Sequence, residues 1–177
     1  SINNEVKEVL LELSQESNKV REIIIKTYRG EDLKTFTFAR SDYETSIMEQ
    51  AHFSYIWDPD VAFYKARLFP QLLRTHFPNQ EGYMEKEWSF MFSNVGAPAD
   101  FPGRCFKISK AFSFKPKMLK KELKKLKISR AEIIQRNFPL SVSDIRKKIG
   151  LDAGGDHYLW ATSLKGEKKI FLCKKVF

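Results

Sequence analysis

Along the chain, apolar residues fall first into a helical pattern, Val6, Val9, Leu10 and Leu13, with Asn3 or Asn4 placed to cap it. Two strand-like runs follow, Arg21 to Lys26 and Leu33 to Phe38. They flank Tyr28-Arg29-Gly30-Glu31-Asp32, whose glycine and acidic residues suit the turn of a β-hairpin. A helix and one hairpin bury too little to fold alone, so this piece either joins the next unit or ends a larger one. Ser41 to Glu49 is polar and irregular and marks a boundary. A strand is expected over His52 to Trp57, then a helix that starts at Asp58-Pro59-Asp60, with Asp58 as cap, and runs to about Arg74. Val61, Tyr64, Leu68 and Leu72 form its face, and Pro70 should end or kink it near Leu68 or Phe69. Glu87 to Ser93 and Arg104 to Phe112 read as strands joined by a loop rich in Pro and Gly. One helix on a small sheet is half of a ferredoxin-like sandwich.

The pattern is sharpest in the last third. Pro116 to Lys127 predicts a helix with Leu119, Leu123 and Leu126 on one face and lysines over the rest. Arg130 to Asn137 alternates as a strand, Ala131, Ile133 and Gln135 on one side, Glu132, Ile134 and Arg136 on the other. Ser141 caps a second helix with Asp144 in the capping-box position, Ile145 and Ile149 facing inward, and Gly150 ending it. His157 to Leu164 and Lys168 to Val176 flank Lys165-Gly166-Glu167 as a terminal hairpin. The order is α-β-α-β-β, completed by a strand from Phe106 to Phe112, and the fold class is α+β.

Charge changes the picture because it is uneven. From Ala111 onward there are 17 Lys and Arg against 6 Asp and Glu, while Ser1 to Lys110 carries 14 against 16. A positive excess confined to one unit is the footprint of a polyanionic partner, with nucleic acid the first candidate. The residues expected to neutralise phosphates are Lys117, Lys120, Lys121, Lys124, Lys125, Lys127, Arg130, Arg136, Arg146, Lys147 and Lys148. The bland reading is a solvated lysine face. Phe138, Tyr158 or Trp160 could stack on bases, although core positions suit them better. With 177 residues, 42% of them hydrophobic, the chain can fold, and no apolar run approaches the roughly 20 residues of a membrane span. It reads as cytoplasmic, with Cys105 and Cys173 reduced and buried.

Candidate catalytic chemistry is sparse. His52, His76 and His157 lie far apart and neither cysteine has a zinc-type spacing, so no metal site is expected. No glycine-rich phosphate or dinucleotide loop is present. Asn137-Phe138-Pro139-Leu140 lacks the second proline and the aromatic of the Asn-Pro-Pro-aromatic methyltransferase signature. Gly154-Gly155-Asp156 reads as a turn needing positive φ in preference to a phosphate cradle.

Phe101-Pro102-Gly103-Arg104, Arg136-Asn137-Phe138-Pro139-Leu140-Ser141 and Gly154-Gly155-Asp156-His157-Tyr158-Leu159 resemble the C-terminal region of bacterial class I S-adenosylmethionine-dependent methyltransferases. In these, ferredoxin-like and THUMP-like domains follow a Rossmann-type catalytic domain. The resemblance covers about Tyr55 to Val176 and implies three parts: 1–42 as the tail of a truncated catalytic domain, 43–111 as a ferredoxin-like domain, and 112–177 as a basic THUMP-like domain. It implies no catalytic residue and no cofactor in this chain, with S-adenosylmethionine held by an upstream domain. It also implies a structured RNA, tRNA or rRNA, as partner. The rival reading is a structural or dimerisation module packed on its own catalytic domain.

Overall fold

The computed structural model describes residues 22–29, 32–39, 53–66, 68–76, 82–83, 90–96, 98 and 100–176. The helix expected near the N-terminus and the boundary at 41–49 lie outside them. A hairpin opens the structure, β1 (Glu22–Arg29) and β2 (Asp32–Ala39), paired antiparallel from Glu22 opposite Ala39 to Arg29 opposite Asp32. After it come β3 (Tyr55–Pro59), α1 (Val61–Lys65), α2 (Phe69–His76), β4 (Gly82–Tyr83), β5 (Met91–Ser93) and β6 (Gly103–Ser113). The last third supplies α3 (Pro116–Lys125), β7 (Glu132–Gln135), α4 (Val142–Ile149), β8 (Tyr158–Leu164) and β9 (Glu167–Lys175). Among the described residues, seven strands form one sheet in the order β4-β5-β3-β6-β9-β8-β7, antiparallel except for β7 beside β8, where α4 makes the crossover. The architecture is α+β.

Strand β6 joins the halves. Its first residues pair with β3, and Phe106 to Ser113 pair with β9, so the division expected at Phe112 falls inside one continuous strand. An irregularity between Ile108 and Lys110 inserts Ser109 as an extra residue. Because side chains alternate with period two, that residue swaps the faces. Before it, Cys105 faces the core made with Trp57, Phe63, Leu68, Phe69, Leu72, Met91 and Phe101. After it, Phe112 packs on the core that α3 and α4 make with β7, β8 and β9, through Leu119, Leu123, Ile145, Ile149, Leu159 and Ile170. Both helix pairs thereby cover the same side of the sheet. The hairpin docks there too, with Ile25 buried and the rings of Phe36 and Phe38 edge-on to Phe63 at 5.2 and 6.0 Å.

The other side of the sheet is lined by its own aromatic residues. Phe92 of β5 meets Phe171 of β9 at 4.9 Å, and Phe106 of β6 meets Tyr158 and Trp160 of β8 at 5.1 and 5.5 Å, each pair skipping at least one strand. Flat neighbours lie about 4.8 Å apart, so β3 and β7, four places apart in the order, would be about 19 Å distant. Yet Arg136, just past β7, places Nη2 3.2 Å from Oδ1 of Asp58 on β3. The sheet is therefore strongly coiled, with this face concave.

Several local expectations are corrected. Asp58 does not cap a helix: β3 runs on through Pro59, and Asp60 occupies the N-cap of α1. The expected helix is two helices, and Pro70 falls in the first turn of α2, where its missing N–H has no intrahelical acceptor to lose. After α1 stops at one turn, Phe63 fills the core and Tyr64 is left 51% exposed. Helix α3 ends at Lys125, so Leu126 is its exposed C-cap and does not join Leu119 and Leu123 in the core.

Candidate nucleic-acid interface

Helix α3 starts at Pro116, whose fixed φ suits a first helical position, and buries only Leu119 and Leu123. The remaining positions around its cylinder are free for lysine. Helix α4 is capped as its sequence predicts: Ser141 Oγ accepts from the Asp144 N–H at 3.1 Å and donates to the Asp144 carboxylate at 2.6 Å. These bonds, the Ser141 hydroxyl first, hold the Asp144 carboxyl below its ordinary range, helped by Lys147 and Lys148. Gly150 ends α4 in the left-handed region at φ 62°, its N–H bonded to Arg146 O at 2.9 Å. The helices pack side by side, and their C-terminal ends meet at a shallow groove of about 250 Å³ lined by Lys120, Lys124, Lys127, Ile128 and Gly150.

Basic residues singled out from the sequence divide into two groups. Lys117, Lys121, Lys124 and Lys127 are exposed and make no ion pair among the described residues, and Lys147 and Lys148 are exposed on α4. Lys120 crosses onto the end of α4: a Cβ at Gly150 would lie 2.9 Å from its Nζ, a favourable place for a cation beside helix carbonyls. Lys125 is tied 2.8 Å from Glu122, which Lys110 also reaches at 3.1 Å. These lysines hold the Glu122 carboxyl below its usual range, the Lys125 hydrogen bond leading.

The three arginines are built into the frame instead. Arg130 Nε donates to Ala153 O at 2.9 Å beneath Gly154 and Gly155, whose φ values of 90° and 85° make Gly154-Gly155 a positive-φ turn wrapped over that side chain. Arg146 Nη1 reaches Ala131 O at 3.2 Å and Leu151 O at 3.3 Å. Arg136 joins Asp58 on the concave side, apart from the helix layer. Phe138 and Trp160 are core residues, and Tyr158 packs on Phe106.

Two features escaped the sequence reading. Lys107 of β6 stands directly opposite Lys174 of β9, both exposed on the helix-bearing side, between the two cores. Like charges in that register repel, and among the described residues neither lysine has an acidic partner to offset it. Alternation in each strand marked the faces, but only the pairing register sets these two side by side. The second is Asp58, 1% exposed, which holds Arg104 and Arg136 together. The motifs Phe101-Pro102-Gly103-Arg104 and Arg136-Asn137 meet at that carboxylate.

Chemistry beyond charge is limited among the described residues. Cys105 and Cys173 are buried, and burial pushes the Cys173 thiol far up, away from the nucleophilic thiolate. Glycines with positive φ sit at the end of α4, over Arg130 and in the β8–β9 turn. Among the described residues none opens a helix after a strand, the arrangement that cradles a dinucleotide phosphate.

Residues 103–175 match the family described as THUMP domain-like. A solved structure, of a candidate methyltransferase from Porphyromonas gingivalis W83, matches with a TM-score of 0.70 and 25% identity over 87% of this chain. The chain spans 38% of that protein's length. No curated protein sequence matches. The stretch from Gly103 to Lys175 is thus similar to THUMP-like domains, and the two-helix lysine layer lies within it.

Proposed function

We propose that this chain is the RNA-docking part of an S-adenosylmethionine-dependent RNA methyltransferase, with the cofactor and the chemistry supplied by an upstream domain in a cytoplasmic protein. The observation that carries the reading is that the exposed, unpaired lysines of α3 and α4 share one layer inside the THUMP-like domain. The Porphyromonas gingivalis neighbour supports the methyltransferase half. Lysines on mobile stems act as point charges, so they hold a folded RNA by its phosphates and leave sequence unread.

Binding of a structured RNA such as a tRNA, followed by anisotropy across a salt series, tests this. Log K should fall by about 0.7 to 0.9 per phosphate neutralised for each tenfold rise in salt. Reversal of Lys117, Lys121, Lys124 and Lys127 to Glu should abolish binding with the fold intact. Unchanged affinity in that variant would overturn the proposal. A second reading, a module that packs on its own catalytic domain without touching RNA, draws on Ile24 and Leu33, 57% and 49% exposed on the hairpin. It predicts that Ile24→Glu disturbs association with the catalytic domain while RNA affinity is unchanged.

A further inference from the structure

Asp58 is the centre of an arrangement that the lysine layer does not use. Its carboxylate is buried and receives two guanidiniums: Arg104 through Nε at 3.1 Å and through Nη2, and Arg136 through Nη2 at 3.2 and 3.4 Å. One negative charge faces two positive ones, leaving a surplus. Both side chains keep about a third of their surface in solvent, 33% and 34%. Among the described residues, Arg104 Nη1 and Arg136 Nε have no hydrogen-bond partner. Each guanidinium also lies over a ring, Arg104 5.5 Å from Phe106 and Arg136 5.8 Å from Trp160, and Arg136 Nη1 is held by Gln135 O at 3.2 Å. The forks are thus fixed before any ligand arrives.

Polar groups nearby are also left without partners. Trp160 Nε1 and Thr162 Oγ1 on β8 are buried and have no hydrogen-bond partner among the described residues, and Arg136 follows in register beside Thr162, since Gln135 pairs with Ala161. Buried donors of this kind are uncommon without a missing acceptor. Lys175, opposite Phe106 on the same side of the sheet, adds further positive charge.

We propose that Arg104 and Arg136 form a seat for a phosphate-type oxyanion at the mouth of the concave face, with the Asp58 carboxylate as the internal counter-charge against which the oxyanion competes. Paired guanidiniums present parallel N–H donors that match a tetrahedral oxyanion, which makes this a better-defined site than any cluster of lysines. The oxyanion is a nucleic-acid phosphodiester or free phosphate. The seat stands independently of the α3–α4 surface, on the opposite side of the sheet.

The test uses the whole chain and inorganic phosphate, titrated against chloride at constant ionic strength, with the arginine Nε–Hε NMR signals as readout. Saturable shifts of Arg104 and Arg136 are expected, and in Arg104→Gln the response of Arg136 should disappear. Asp58→Asn removes the internal competitor and should bind phosphate tighter, on the order of tenfold, the worth of one charge-assisted hydrogen bond. Absence of a saturable shift in the unmodified chain overturns the proposal without recourse to variants. So does a weaker phosphate affinity in Asp58→Asn. A tRNA added to the phosphate complex separates the sources: displacement of phosphate at these signals identifies a phosphodiester, and retention identifies free phosphate. The Lys→Glu variant of α3 should keep the phosphate response, so loss of RNA binding there bears only on the lysine layer.

Discussion

Two glycines show how a single residue can be required for different physical reasons. Gly103 opens β6 opposite Pro59, and a Cβ there would lie 2.6 Å from Pro59 Cα and 2.7 Å from a Phe101 ring carbon, in addition to meeting the Asp58 carbonyl. Backbone cannot swing away as a side chain can, so Gly103→Ala should cost about 1–3 kcal/mol, the range for overpacked sites. An unchanged urea midpoint would show that the junction has slack. At Gly150 the obstacle is conformational: φ is 62°, and the nearest atom is the flexible end of Lys120. Gly150→Ala should cost about 1 kcal/mol, and Gly150→Asn less, because Asn tolerates the left-handed region. If Asn and Ala prove equal, the φ argument fails and the Lys120 contact is what matters. Asp58 differs from both. Its partners are 46 and 78 residues away, so nothing in Asp58-Pro59-Asp60 betrays them, and the local pattern imitates a helix cap.

That contrast recurs among elements. Helix α4 was fully legible because its signals are adjacent in sequence: Ser141 with Asp144 at one end, Gly150 at the other. The β8–β9 turn was equally plain, Lys165 and Gly166 both taking positive φ as a two-residue hairpin demands. Six of the exposed lysines in the candidate interface were named for the same reason, since a run of charge on one amphipathic helix is local information. The extra residue at Ser109, the parallel pairing of β7 and the Lys107–Lys174 juxtaposition depend on register between distant strands, which no window of sequence carries. For α4, Ser141→Ala should cost about 1 kcal/mol. Its pH dependence follows from Asp144. A carboxyl held below its unfolded range stabilises the fold at pH values above that range, and the contribution is lost as pH falls through the lowered folded value. Thermal melts of the parent chain should therefore lose part of the α4 contribution on acidification, and the loss should be smaller in Ser141→Ala, which already lacks the leading hydrogen bond. An identical pH profile in the two proteins would contradict the cap's role.

For the molecule as a whole, the lysines set stability against binding. Lys107 and Lys174 face each other across β6 and β9 in a position where the chain could have placed an acid, and their repulsion costs stability that a bound polyanion would recover. Relieving it should therefore separate the two properties. Lys107→Thr, which keeps a strand-forming residue at an exposed site, should raise stability by about 0.2–1 kcal/mol, the usual size of a cross-strand pair effect. The same change should weaken structured RNA and lower the salt slope by about 0.7 to 0.9 if Lys107 touches one phosphate. Denaturant midpoints and an anisotropy salt series on one preparation measure both quantities. The two lysines lie on the helix-bearing side between the cores, so this result also maps how far the proposed RNA footprint would extend from α3 towards β3. A stabilised variant with unaltered salt slope would confine the footprint to the α3–α4 layer, whereas a reduced slope would extend it across the shared strand into the first half of the sheet.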